Sequence, residues 1–376
     1  MNGIYIHIPF CNTICSYCDF PKQIAKEEVK ESYLDYLLQE LSSYEKKDWF
    51  KEVWSKRIES VYIGGGTPNS LALDQLERLF KALEPYLRNS IENTIEVNPE
   101  LLTASQVLLF KKYNINRVSI GVQSFDPALI QSIRRNHTEE MVYEAVKLLK
   151  KEGISNINID MMYGLPGQTM KKLKKDIKKV IGLKVPHISY YSLILEEKTI
   201  LSYQMKHTQI VFPDDDLVVD MANYLTKKLK MRQFKHYEIS NYAKKGYESI
   251  HNLGYWNCEE YIGIGASACG YYHNHRIQND TTLHGYYAGK KIKTYISIKE
   301  QKQEYMMLGL RKLQGIHIKD YYEKFKSYPK DDFDLDYLYK NKLIEEKNDF
   351  IRIKQDKIWL GNLVFEAFVG GDEVEG

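Results

Sequence analysis

Six times in the first half of this 376-residue chain, a short β-branched run gives way to a longer amphipathic stretch, and that alternation limits the fold more than any other feature. GIYIHI precedes a helix expected over residues 27–48, ESVYIGG a helix from Leu73 to Tyr86, and NTIEVN a helix from Thr103 to Lys112. NRVSIGV leads into a helix around Glu139 to Lys151, SNINIDMMYG into one around Lys171 to Gly182, and HISYYSLIL closes the series. Six βα-like units in succession imply an α/β fold with a parallel sheet. Right-handed crossovers then curl that sheet into an open or partial barrel. In such folds the reactive groups gather at the C-terminal ends of the strands.

The first strand runs into IHIPFCNTICSYCDF, with three cysteines at Cys11, Cys15 and Cys18. A 4Fe-4S cluster takes one cysteine per iron, so three thiolates leave one iron open. An open position distinguishes a reactive metal site from a closed structural one, and the amino and carboxylate groups of S-adenosylmethionine (SAM) suit it. This is the arrangement of a radical SAM site. A structural zinc site would need a second Cys or His pair downstream, and Cys258 and Cys269 follow no such spacing. Disulfides fit poorly with an odd count of five in a chain without an export signal. Redox use or inert thiols remain the other readings. Tyr5 and His7 lie on the preceding strand, and Tyr17 offers a ring to shield the cluster and the adenine.

The formal charge of +3 is small for this length and the lysines are dispersed, which argues against a nucleic-acid partner. Hydrophobic residues make up 43% of the chain, enough for a sizeable core. No basic-then-apolar leader opens the sequence, and no stretch reaches the roughly 18 apolar residues of a membrane span. The expected location is the reducing cytoplasm, with peripheral membrane contact left open.

Polar residues stand at the predicted strand ends. GGGTP places Gly64, Gly65 and Gly66 after the second strand, where backbone can approach a ligand, although a tight turn explains glycines equally well. Glu96, Gln123 and Asp160 end the third, fourth and fifth strands. Each alone reads as a cap or loop hydrogen bond; together they can hold the ribose hydroxyls and methionine carboxylate of the cofactor. Arg135, in RRNHT, can pair with that carboxylate or stand exposed without a partner.

IHIPFCNTICSYCDF, YIGGGTPNSL, EVNPE, SIGVQSFD, RRNHT, NIDMMYGLPGQT, HNLGYWN and EYIGIGASACGY together resemble the radical SAM family that contains oxygen-independent coproporphyrinogen III oxidases and HemW-type heme chaperones. The resemblance runs from about residue 4 to residue 315. It implies a partial (β/α)6 radical SAM barrel followed by a smaller, mostly helical C-terminal domain. It makes Cys11, Cys15 and Cys18 the cluster ligands, and Tyr5, the GGGTP glycines, Glu96, Gln123, Arg135 and Asp160 the SAM contacts.

Two departures separate the branches. Oxidases of the family carry a fourth cysteine two places beyond the third, where this sequence has Phe20, and a longer arm before the motif, where this sequence has ten residues. HNLGYW, with His251, Asn252, Tyr255 and Trp256, resembles the HNxxYW motif linked to heme binding in the chaperones, which implies His251 as a heme ligand. On the residues alone, His251 reads as a hydrogen-bonding loop histidine. Cys269 stands where relatives carry histidine, and reads as a small buried residue or as a thiolate ligand.

Residues 271–295 show no clear period and read as a connection, a lid over the barrel mouth. Beyond them, helical spacing at Lys299–Leu313 and Ile318–Ser327 precedes a hairpin with bends at Asn348-Asp349 and Asp356-Lys357, a winged-helix-like module. The expected divisions are a barrel over 1–200, a barrel extension with the candidate heme-binding segment over 201–295, and the C-terminal domain over 296–376. The function expected is heme carriage to membrane-associated, heme-requiring proteins, with an electron donor for the cluster and a homodimer among the implied partners. The alternative is an enzyme, the oxidative decarboxylation of coproporphyrinogen III.

Overall fold

The computed structural model describes residues 3–54, 58–208 and 210–369. Six parallel strands lie side by side in chain order: β1 (Gly3–Ile8), β2 (Ser60–Gly65), β3 (Glu92–Val97), β4 (Arg117–Gln123), β5 (Asn156–Tyr163) and β6 (His187–Ser192). The helices that follow them are Glu27–Glu45, Leu73–Asn89, Ala104–Lys112, Glu139–Lys151, Met170–Gly182 and Asp215–Lys230. Thr103, Thr138, Thr169 and Asp214 each accept a backbone N–H from the first turn of the helix that follows, the usual way an orphan donor at a helix start is satisfied.

Alternation along the strands assigns the two faces. Ile4, Ile6, Ile8, Val61, Ile63, Ile95, Val118, Ile120, Ile157 and Ile159 are buried and join the core beneath the helices. Side chains of opposite parity point into the barrel and are mostly polar: Tyr5, His7, Ser60, Tyr62, Glu92, Glu96, Arg117, Ser119, Asn158, Asp160, His187 and Ser189. Packed barrels usually fill this space with branched apolar residues.

Both edges are extended. β7 (Lys235–Glu238) and β8 (Asn241–Ala243) add antiparallel strands beyond β6. On the other side β9 (Tyr261–Ile264) pairs parallel with β1, and β10 (Cys269–Tyr272), β11 (His275–Asn279) and β12 (Lys291–Tyr295) continue antiparallel. Residues 271–295 are therefore largely sheet, not a lid. Their period is obscured because β12 is exposed throughout, with lysines that protect an open edge. Glu40 ties this extension to the first helix, accepting from Gly265 N at 2.9 Å, Asn279 Nδ2 at 3.0 Å, Tyr286 OH at 2.8 Å and Lys291 Nζ at 2.5 Å.

A second core, including Met306, Leu310, Tyr321, Leu338, Ile351 and Phe365, organises the C-terminal region. Helices Ile298–Gly309 and Ile318–Phe325 pack beside a small sheet in the order β13 (Ile316–His317), β15 (Phe350–Ile353), β14 (Ile344–Lys347). Asn348 and Asn348's neighbour Asp349 both have positive φ, 52° and 63°, as a two-residue hairpin turn demands. The second expected bend, Asp356-Lys357, lies instead within a 3-10 helix, Gln355–Leu360. The expected helix over 27–48 ends at Glu45, and a separate helix begins at Asp48. Among the described residues no helix is long and apolar enough to cross a membrane.

The base of the barrel is closed by helix Ile250–Trp256. Glu92 accepts from Ser249 Oγ at 3.3 Å and from the N–H groups of Ile250 and His251 at 3.2 Å each, and its carboxylate lies 3.5 Å from Arg117 Nε. Removing one partner of a buried ion pair leaves the other uncompensated. Glu92→Leu is therefore expected to destabilise the fold by about 3–5 kcal/mol, read as a lower denaturation midpoint in urea.

Candidate functional site

The loop after β1 is held from several sides. Cys11 N–H donates to Gln23 O at 3.0 Å and Gln23 N–H to Pro9 O at 2.8 Å, while Ser16 N–H donates to Ile133 O at 3.1 Å and Ser16 O accepts from Leu201 N–H at 2.7 Å. His7 supports it from beneath. Its Nε2 must donate to the Pro21 carbonyl, 3.2 Å away, so Nδ1 is the acceptor for Tyr5 OH at 2.8 Å. Burial keeps this imidazole neutral by lowering its pKa.

Held this way, Cys11, Cys15 and Cys18 all line one cavity of about 410 Å³ at the C-terminal ends of the parallel strands. Among the described residues, no group of three or more His, Cys, Asp or Glu converges as ligands of a single ion would. A cuboidal cluster instead asks for separated sulfurs, one per iron, and the three thiols are the donors available for it. Burial raises the Cys11 and Cys18 thiol pKa values, so ligation depends on the metal's own charge to hold the thiolates. Thr67 Oγ1 donates to Cys11 Sγ at 3.4 Å, and the buried Arg135 guanidinium lies 3.9 Å from Cys15 Sγ. Arg135 also donates to Asn98 Oδ1 at 2.8 Å and to Gly121 O. It is buried and partnered, not a free surface charge.

Gly65, Gly66, Glu96, Gln123 and Asp160 line the same cavity. A Cβ on Gly66 would lie 2.8 Å from Phe10 O and 3.0 Å from Cys11 Sγ, so glycine here lets the second loop approach the cysteines. Gly65, at φ 114°, leaves room for the His7 ring. Glu96 accepts from Tyr62 OH at 2.6 Å and from Gly65 N–H at 3.1 Å. Burial nevertheless dominates, and its pKa is pushed up to about 7. Asp160 accepts from Ser119 Oγ at 2.7 Å and Asn158 Nδ2 at 2.8 Å, and burial raises its pKa as well. Gln123 adopts a positive φ of 68° at a register shift in β4.

Three expected contacts lie elsewhere. Gly64 packs on Tyr62 and Glu96 without lining the cavity. Tyr5 sits a layer lower, bonded to His7 and near the Tyr62 and His251 rings. His251 is buried at the barrel base, with Nδ1 2.8 Å from Ser60 Oγ and Nε2 2.8 Å from Tyr255 OH. Burial lowers its pKa to about 3. Both nitrogens are engaged, so as a heme ligand it would first have to release one of these hydroxyls. Its neighbour Asn252 does reach the cavity.

Asn98, Arg117, Ser119, Asn158, Ser189 and Tyr191 also line the cavity and were not singled out by sequence. Asn158 falls two residues from Asp160 on the same strand and Asn98 two residues beyond Glu96, a spacing that gives the same inward face. A directed chain runs through Asn158. Tyr237 OH donates to His187 Nε2 at 2.9 Å, His187 Nδ1 to Asn158 Oδ1 at 2.6 Å, and Asn158 Nδ2 to Asp160.

Comparison with known proteins agrees with this architecture. The radical SAM superfamily pattern matches residues 5–180. A Lactococcus lactis subsp. lactis (strain IL1403) protein named heme chaperone HemW is 39% identical, over 99% of this chain and 98% of its own length. The protein of that name from Bacillus subtilis (strain 168) is 35% identical, over 98% of this chain and all of its own. Coproporphyrinogen III oxidase (HemN) from Escherichia coli, described as a radical SAM enzyme, has a TM-score of 0.82 over 98% of this chain and 90% of its own, at 20% identity. At that identity the likeness concerns the fold.

Gly66→Ala is expected to lower the iron bound per chain after anaerobic reconstitution, with the circular dichroism spectrum unchanged. Gly182→Ala, where a Cβ meets nothing within 4 Å, should leave iron content unaltered.

Proposed function

The chain belongs to the HemW-type heme chaperone family of the radical SAM superfamily, and from that premise we propose that it binds heme and delivers it to heme-requiring proteins. In this reading Cys11, Cys15 and Cys18 hold a 4Fe-4S cluster, and SAM occupies the open iron. The cluster, when bound, supplies an electron donor and a coordination site for the cofactor's amino and carboxylate groups.

The residues around it have separable tasks. Arg135 offsets thiolate charge beside Cys15. Tyr17, half-buried within the cluster loop, excludes water, while Glu96 and Asp160 offer carboxylates to the cofactor's hydroxyl and cationic groups. Gly65 and Gly66 keep the backbone close enough to present its amides. Tyr5 acts through His7 as a positioning residue.

One observation favours carriage over porphyrinogen decarboxylation. The cavity beside the thiols, about 410 Å³, is near the lower end of the range for small-ligand sites. Phe20, 63% exposed at the cavity's lip, offers an apolar surface where oxidases of the family carry a cysteine. The reading places the protein in a reducing compartment, suited to thiolate ligands, with membrane-associated heme proteins as recipients.

Titrating heme into the anaerobically reconstituted protein should give a saturable Soret band, and coproporphyrinogen III with SAM and a reductant should remain unconsumed. Porphyrinogen turnover that Cys15→Ser abolishes would overturn the reading.

Glu96 adds a pH dependence. With its pKa near 7, the carboxylate is ionised above neutrality, the form that attracts the sulfonium and ammonium of SAM. Affinity for SAM should rise with pH up to about 7 and fall up to about tenfold per unit below it. Calorimetric titration of Glu96→Gln should show that dependence removed.

A further inference from the structure

Each of the three cysteines has a donor or a cation from outside the motif beside it. Cys15 has the Arg135 guanidinium at 3.9 Å, and Cys18 has Lys22, whose Nζ donates to the Cys18 carbonyl at 2.5 Å. For Cys11 the partner is neutral: the Thr67 hydroxyl, at 3.4 Å from Sγ. The sequence draws attention to the glycines of GGGTP and not to its threonine.

A threonine in this position has an ordinary task that would account for it. Thr67 precedes the 3-10 turn Pro68–Ser70, and a threonine before a helical turn normally accepts a backbone N–H from it. The Thr67 side chain makes no such bond. It is nonetheless buried, at 3% exposure, so the hydroxyl needs a partner elsewhere. The loop that carries it is fixed against the cysteine loop, with Gly66 N–H donating to Ile8 O at 2.8 Å and Ser70 Oγ to Phe10 O at 3.3 Å.

The neighbours decide which way the hydroxyl points. Arg135 can only donate, so Asn98 presents Oδ1 to it at 2.8 Å and turns Nδ2 toward Thr67 Oγ1, at 3.5 Å. Asn69 holds Asn98 in place: its Oδ1 accepts from Asn98 N–H at 3.0 Å, and its Nδ2 donates to Asn98 O at 3.1 Å. Having accepted from Asn98, Thr67 directs its own hydrogen at Cys11 Sγ. A ligating cysteine is a thiolate and has no hydrogen to offer in return. The donors therefore run one way, from Arg135 to Asn98 to Thr67 to Cys11.

Hydrogen bonds to ligating sulfurs stabilise the negative charge that a cluster gains on reduction, and so raise its potential. We propose that the Thr67 hydroxyl sets the reduction potential of the cluster, raising it through Cys11, with Asn98 as the positioning residue that aims it. This inference rests on the cluster reading above and specifies which of the chain's own groups adjust what an electron donor must supply.

The test is a redox titration of the anaerobically reconstituted full-length protein, read by electron paramagnetic resonance of the reduced cluster, with iron counted per chain. Thr67→Val replaces the hydroxyl by a methyl group of similar size. It should hold as much iron as the unsubstituted protein and reduce at a lower potential, by on the order of tenfold in the reduced-to-oxidised ratio, which is ~59 mV for one electron. Thr67→Ser returns the hydroxyl and should return the midpoint. An unchanged midpoint in Thr67→Val would overturn the assignment, as would a midpoint in Thr67→Ser as low as that of Thr67→Val. Loss of iron from Thr67→Val would overturn it too, because the residue would then serve assembly of the loop. Failure of the unsubstituted protein to take up iron would overturn the cluster reading itself, an outcome visible before any variant is made.

Discussion

The structure depends on satisfying polar groups inside a barrel that excludes water. An unpaired polar atom in such a place costs on the order of 1–3 kcal/mol, and the inward faces of six strands carry many of them. Glu92 meets this demand at the base, where one carboxylate accepts from three donors of the closing helix and faces Arg117. His187 and Asn158 meet it in the middle. The same requirement makes the residues interdependent, because each donor is oriented by the acceptor that its neighbour leaves free.

At the upper rim, the balance changes from satisfaction to reactivity. Glu96 and Asp160 are hydrogen-bonded, yet burial outweighs those bonds and raises both pKa values. Arg135 is the opposite charge placed among them, next to Cys15. A cationic cofactor on one side and a cluster of thiolates on the other would each lower the cost of keeping these groups buried. The site therefore resembles a charge distribution awaiting its counterpart more than a set of independent contacts.

Much of this was legible in the sequence, for a physical reason. In the six βα units the period of the apolar residues switches from two to near four, and the spacing of Cys11, Cys15 and Cys18 leaves few alternatives for a cluster loop. The strand-end residues Glu96, Gln123 and Asp160 followed from the same periodicity. What stayed hidden depends on distant parts of the chain. The short strands within 271–295 gain order only by pairing with one another and with β9, so no local period announces them. Of the two bonds that engage the His251 nitrogens, one goes to Ser60, nearly two hundred residues away, and a heme-binding motif looks the same in sequence whether its histidine is free or bonded. For Arg135 the sequence left burial and exposure both open, since its place beneath the cluster loop is not written in RRNHT.

The pairing of β9 with β1 has a consequence for the order in which the molecule is assembled. Tyr261 lies opposite Gly3 in the sheet, so the strand that leads into the cysteines is made first and acquires its second neighbour only after some 260 residues have been synthesised. At ~5–20 residues per second that interval is on the order of ten to fifty seconds. During it, one edge of β1 is unpaired while the cysteine loop is already outside the ribosome. The loop is thus reachable by an iron-sulfur donor before β9 arrives, and the last strand to join the parallel sheet also seals the cluster-bearing strand in place.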